Sequence, residues 1–186
     1  MSNNEVKIIG GKFKGKLLKV LDAEGLRPTP SRVKETIFTW LKESVNGAKV
    51  LDLFAGTGAL GLEAFSRGAQ DITLIELNKD NYNNLKDTVQ GFKSSNIHVL
   101  NDDAVHFLNN TQDCFDLVFL DPPYKLDIYK DCLSLLLKRN LISDNSLIYV
   151  EMRNGSNQVV PGFEIIKEQS AGQAKYCLYR KSQLLF

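Results

Sequence analysis

From Lys49 to Val150 the chain alternates short, continuous apolar runs with stretches of helical periodicity, and that alternation limits the possible folds more than any other feature. The apolar runs are 49–53, 72–76, 97–100, 116–120 and 147–150. Between them, Gly58–Arg67, Lys79–Gln90, Ala104–Asn109 and Ile128–Lys138 read as helices. A strand that is apolar along its whole length is covered on both faces, as in a parallel sheet flanked by helices. After residue 150 the rhythm breaks. Phe163–Ile166 and Lys175–Tyr179 read as two further strands, joined by eight residues that include Gly172. A parallel crossover needs a helix or about a dozen residues, so the last strand is expected to run antiparallel. The fold class is therefore α/β, a Rossmann-like sheet of seven strands with the last one antiparallel.

The first 47 residues read as an appendage. Val6–Ile9 and Phe13–Leu17 flank Gly10-Gly11 as a β-hairpin. Leu26–Pro30 is an extended connector, because proline disfavours helix at the residue before it. A helix follows from about Ser31, with Val33, Ile37, Trp40 or Leu41 and Val45 at helical spacing and Asn46-Gly47 as its stop. The boundary is expected there, with 1–47 as an N-terminal appendage and 48–186 as the main domain.

The net charge of +1 points to no partner, but its distribution does. Residues 1–34 hold eight Lys and Arg against three acids, a net of +5, and the remaining 152 hold a net of −4. On a strand, Lys12, Lys14 and Lys16 would share one face, a ridge able to lie along nucleic-acid phosphates. Arg27 and Arg32 flank the proline connector and are expected to reach a base or a cofactor carboxylate. No run approaches the ~18 apolar residues of a membrane span, and the N-terminus lacks a secretory pattern. A cytoplasmic address is expected. Cys114, Cys132 and Cys177 are too scattered for a disulfide framework or a zinc site, and none follows the proline that a C5-pyrimidine methyltransferase requires. His98 and His106 lack ligand spacing, so no metal is expected.

Gly56, Gly58 and Gly61 form a G-x-G-x-x-G turn between the first apolar run and its helix. Such a turn lets backbone N–H groups approach an adenosine-bearing ligand. Glu76 ends the next strand, 24 residues after Asp52, where a carboxylate can accept from both ribose hydroxyls. Asp103 follows the third strand and can face an adenine amino group. NAD fits the same geometry. Asp52, however, would repel a pyrophosphate and suits the amino group of a methionine moiety. The string from Asp52 through Phe54 to Gly58 resembles the first motif of class I S-adenosylmethionine methyltransferases.

Asp121-Pro122-Pro123-Tyr124 closes the fourth strand. The nitrogen of an exocyclic base amine is planar and a poor nucleophile, since its lone pair is delocalised into the ring. The Asp121 carboxylate and a backbone carbonyl near Pro122 can accept its two hydrogens and free the lone pair for attack. The prolines lack N–H donors and fix φ, which keeps that carbonyl rigid. Tyr124 can stack on a flipped base. Either Asp121 or water can take the proton after transfer.

Lys7–Gly11, Leu26–Thr29, Arg32–Thr36, Asp52–Gly61 and Asp121–Tyr124 together resemble the bacterial 16S rRNA (guanine-N2)-methyltransferase family, in order and over nearly the whole chain. The resemblance implies a class I methyltransferase fold with an N-terminal β-hairpin and S-adenosyl-L-methionine as cofactor. It also implies methylation of one guanine in 16S rRNA within an assembled or nearly assembled 30S subunit, by a monomer. Asp121, Pro122, Pro123 and Tyr124 would be catalytic. Asp52, Phe54, Gly56, Gly58, Glu76 and Asp103 would contact the cofactor. Lys12, Lys14, Lys16, Arg27 and Arg32 would meet the RNA. Lysines at 7, 14 and 16 replace the arginines common in the family, losing bidentate recognition but keeping phosphate attraction. Two alternatives stay open. A DNA adenine-N6 methyltransferase shares the Asp-Pro-Pro-Tyr chemistry but would be expected to carry a target-recognition domain. An NAD(P)-dependent oxidoreductase would need a hydride-relay residue.

Overall fold

A computed structural model describes residues 5–21 and 29–183. The seven-stranded sheet contains β3 (Lys49–Asp52), β4 (Asp71–Ile75), β5 (Ile97–Leu100), β6 (Phe115–Leu120), β7 (Ile142–Arg153), β8 (Phe163–Ala171) and β9 (Ala174–Lys181). Its order is β5-β4-β3-β6-β7-β9-β8. β3 through β7 pair in parallel, and β9 runs antiparallel to β7 and to β8, to which it is joined by only residues 172–173, as the shortness of their connection led one to expect. A separate two-stranded hairpin joins β1 (Glu5–Lys7) to β2 (Leu17–Lys19). The helices are α1 (Ser31–Trp40), α2 (Ala59–Ser66), α3 (Lys79–Gln90), α4 (Ala104–Asn110) and α5 (Tyr129–Lys138).

Alternate strand residues face two cores. Val50, Leu117, Phe119 and Tyr149 pack under α1, α2, α3 and the hairpin. Leu51, Val118, Leu120 and Val150 pack under α4 and α5. The continuous apolar runs are thus explained by helices on both faces. Val6, Ile8 and Leu18 of the hairpin region lie in the first of these cores together with sheet residues. No helix among the described residues is long and apolar enough to cross a membrane.

The hairpin differs from its expected form. Its return strand is Leu17–Lys19, not Phe13–Leu17, and residues 10–15 form turns. The cause is tertiary. Phe13 packs against Phe65 and Phe92, at ring centroid distances of 5.9 and 4.8 Å. The Lys12 amide donates to the Ser66 carbonyl (2.7 Å) and the Phe13 amide to Ser66 Oγ (2.8 Å). Gly11, at φ 75°, lies so close that a Cβ would sit 1.8 Å from the Ser66 carbonyl oxygen. Lys12, Lys14 and Lys16 therefore do not form the ridge of a strand face. They stand on a turn docked against the C-terminal end of α2.

A buried ion network ties this appendage to α2. Lys34 and Glu63 are both fully buried and lie 3.2 Å apart. Lys34 Nζ also donates to the Lys7 carbonyl (2.6 Å). Glu63 accepts from the amides of Ile9 (3.0 Å) and Gly10 (2.8 Å) and from Arg67 Nε (2.9 Å). Glu63 is thus the joint of α1, α2 and the hairpin.

Candidate active site

The carboxyl ends of β3, β4, β6 and β7 bring the acidic candidates to one edge of the sheet, the usual ligand crevice of such folds. Asp52 ends β3 and is buried. Its Oδ2 accepts from the Gly61 amide (3.1 Å), while Oδ1 is buried without a hydrogen-bond partner among the described residues. Burial raises its pKa to about 7, with nearby Glu76 adding to the rise and the backbone N–H groups of Gly61 and Phe54 opposing it. Half-buried Phe54 follows in the same turn. Gly58, at φ 79°, is the residue before α2, and a Cβ there would meet Leu85 and Leu62 at 2.7 and 2.8 Å. Glu76 orders the turn, accepting from the Gly56 amide (2.8 Å) through one oxygen and the Asn78 amide (2.8 Å) through the other. Each oxygen keeps a lone pair for a ribose hydroxyl. Asp103 is exposed and caps α4, with Oδ1 accepting from the His106 amide (3.0 Å).

Across the crevice, Asp121 follows β6 and is half-buried. Its pKa is pushed well above the usual carboxylate range, chiefly by burial, then by Glu151 and by Asp52. The Leu126 amide donates to the Pro123 carbonyl (2.8 Å), closing the turn and leaving the Pro122 carbonyl as the candidate second acceptor. The Tyr124 hydroxyl donates to Glu151 Oε1 (2.7 Å) while the residue stays 43% exposed, so the ring is held yet open to a stacking partner.

Sequence reasoning missed two residues here. Glu151, on β7, touches both Tyr124 and Asp121. Its signal was available, since it directly follows the fifth apolar run and so shares the acidic edge. Leu77 is 65% exposed immediately after Glu76, an apolar side chain beside the crevice.

Lys12, Lys14 and Lys16 are not at this edge. The turn bearing Lys12 and Lys14 docks at the opposite end of α2 from Gly58, a helix of eight residues, or ~12 Å. Lys16 Nζ donates to the Gly91 carbonyl (3.2 Å) and lies over the Phe92 ring. Arg32 is exposed in the first turn of α1. Arg27, with most of the expected connector, lies outside the described residues.

S-adenosylmethionine fits this edge on chemical grounds. Asp52, Glu76, Asp121 and Glu151 make the crevice electronegative, which suits a sulfonium and an ammonium and opposes a pyrophosphate. The orphaned Asp52 Oδ1 lacks the kind of donor that an ammonium group brings. An acidic group raised to about 7 also predicts a pH signature. Folding favours the protonated form, so this contribution to stability is fully present below the ordinary carboxyl pKa and is lost as pH rises toward 7. In Asp52→Asn, thermal denaturation should show a flatter decline of melting temperature between about pH 4 and 7. Calorimetric titration with S-adenosylhomocysteine should show affinity rising through pH 7 in the natural chain. In the variant it should be weaker and nearly pH-independent. An equally steep pH response in the variant contradicts this role.

Comparison with known proteins agrees with the geometry. Residues 6–180 match the family model described as Conserved hypothetical protein 95. The chain is 41% identical to the ribosomal RNA small subunit methyltransferase D of Haemophilus influenzae, over 96% of this chain and 95% of that protein. It is 39% identical to the protein of the same name from Escherichia coli K12, over 96% and 91% of the two chains. The solved structure of Escherichia coli yhhF is similar at TM-score 0.88 and 37% identity, covering 96% of this chain and 98% of that one.

Proposed function

Because this chain belongs to the Conserved hypothetical protein 95 family, together with the ribosomal RNA small subunit methyltransferases D, we propose that it methylates the exocyclic N2 of a guanine in 16S rRNA. The observation that carries this reading is the shared crevice, with Asp52 and Glu76 on one side and Asp121 and Tyr124 on the other. The substrate is the rRNA of an assembled or nearly assembled 30S subunit, met by a monomer in the cytoplasm.

S-adenosylmethionine supplies an activated methyl group when bound, so the chain's own work is to orient and deprotonate the acceptor. Asp52, Glu76, Asp103 and the turn at Gly56–Gly58 would hold it. Asp121 and the Pro122 carbonyl accept the two amine hydrogens and direct the nitrogen lone pair toward the methyl. Tyr124 stacks on the base and fixes its plane. A deprotonated Asp121 can then take the proton as the amine becomes cationic.

Tritiated methyl uptake by 30S particles, naked 16S rRNA and duplex DNA tests this function. Uptake should favour ribosomal RNA, and preferential labelling of DNA overturns the reading. Lys12, Lys14 and Lys16 lie far from the crevice, and a long RNA would reach them as a second, non-specific contact. Replacing all three with alanine should lower affinity and reduce the slope of log K against log salt by roughly 0.7–0.9 per lost phosphate contact. Filter binding across a salt series measures it, and an unchanged slope places the RNA elsewhere.

A further inference from the structure

Asp121 and Glu151 interact directly at the crevice, and no Lys or Arg forms an ion pair with either among the described residues. Two adjacent carboxylates without a cation are unfavourable by themselves. The two carboxyl groups are hydrogen-bonded to each other, and Tyr124 donates to Glu151. Beside them lies a cavity of about 340 Å³, lined by Pro122, Tyr124, Leu126, Glu151, Arg153 and Asn157 among others. It is large enough for a nucleobase, and its lining includes Glu151 and Tyr124, with Asp121 beside Glu151 where β6 and β7 end side by side.

The four RNA bases differ along their Watson–Crick edges. Guanine alone presents two neighbouring donor groups there, N1–H and N2–H₂. Adenine and cytosine place a ring acceptor next to their amine, and uracil sets its single N–H between two carbonyls. A pair of neighbouring acceptors matches guanine and leaves each of the others with an acceptor facing a carboxylate. We propose that Glu151 is the specificity-determining residue of this pocket, accepting the guanine N1–H while Asp121 holds the N2 amine. This inference rests on the assignment of the crevice as a methyl-transfer site and adds the reason it selects guanine. A site built around a hydrogen bond rejects an analogue that cannot form it, because its own buried group is left unpaired.

The test uses small-subunit rRNA ligated from synthetic segments, with guanine or 2-aminopurine at the methylated position, reassembled into subunits. 2-Aminopurine keeps the N2 amine but has an unprotonated N1. The natural chain should prefer guanine over 2-aminopurine in kcat/KM by about 100-fold or more. Glu151→Gln, whose amide can donate to an unprotonated N1, should lower that preference at least about tenfold. Glu151→Asp, which keeps the carboxylate, should retain the preference at a reduced rate and serves if the glutamine variant does not fold. Parallel loss on both RNAs with an unchanged ratio overturns the proposal and reduces Glu151 to a support for Tyr124. If the natural chain does not methylate the guanine RNA, the reading of the crevice fails, and this inference with it.

Discussion

Replacing Asp121 with alanine should lower the rate of methyl transfer by about 10²–10⁴-fold while changing cofactor affinity by less than about tenfold. In the proposed mechanism the carboxylate acts on the acceptor amine, so its loss removes stabilisation that develops as the nitrogen attacks, and little of it acts on the cofactor. Single-turnover methylation, paired with calorimetric titration of S-adenosylhomocysteine, separates the two effects. The pH profile gives a second reading. Asp121 must be ionised to accept its amine hydrogen and then the proton, and burial with Glu151 beside it holds its pKa well above the usual range. Activity should therefore rise with pH along a limb displaced upward from that of an ordinary aspartate. Substantial turnover in Asp121→Ala, or a loss confined to cofactor binding, contradicts the assigned role.

The largest effect on stability is expected at Glu63, far from the chemistry. Glu63→Ala leaves the Lys34 ammonium buried without its counter-ion and deprives the Ile9 and Gly10 amides of their acceptor. Breaking a buried pair in this way costs roughly 3–5 kcal/mol. Urea denaturation should show a correspondingly lower midpoint. The double replacement Lys34→Met, Glu63→Leu should recover much of the loss, since two apolar side chains leave no uncompensated charge. A loss in the single variant below about 1 kcal/mol shows that the network relaxes into solvent instead of joining the hairpin to α1 and α2.

The parts of the fold legible in the sequence were those set by local pattern. The runs at 49–53, 72–76 and 116–120 became β3, β4 and β6 within a residue at each end, because strands covered on both faces must be apolar throughout. The antiparallel β9 followed from the shortness of one connection. The hairpin tip was not legible, because Phe13 leaves strand geometry to reach Phe65 and Phe92, residues distant in sequence. Lys34 and Glu63 look like solvated helix residues until α1 and α2 are packed together. Asp52, Gly58, Glu76 and Asp121 carry motif spacings and could be named in advance, whereas Glu151 has no motif of its own. Its place beside Tyr124 exists only once β7 lies next to β6.

The central claim is that a guanine amine held at Asp121 and Tyr124 accepts a methyl group from a donor held at the Gly56–Gly58 turn. Incubating unmethylated 30S subunits with the protein and S-adenosylmethionine carrying a deuterated methyl, then digesting the rRNA and weighing its nucleosides by mass spectrometry, tests it most directly. Labelled N2-methylguanosine at a single position is the expected product. Label in N6-methyladenosine, or none in any ribosomal nucleoside, contradicts the account.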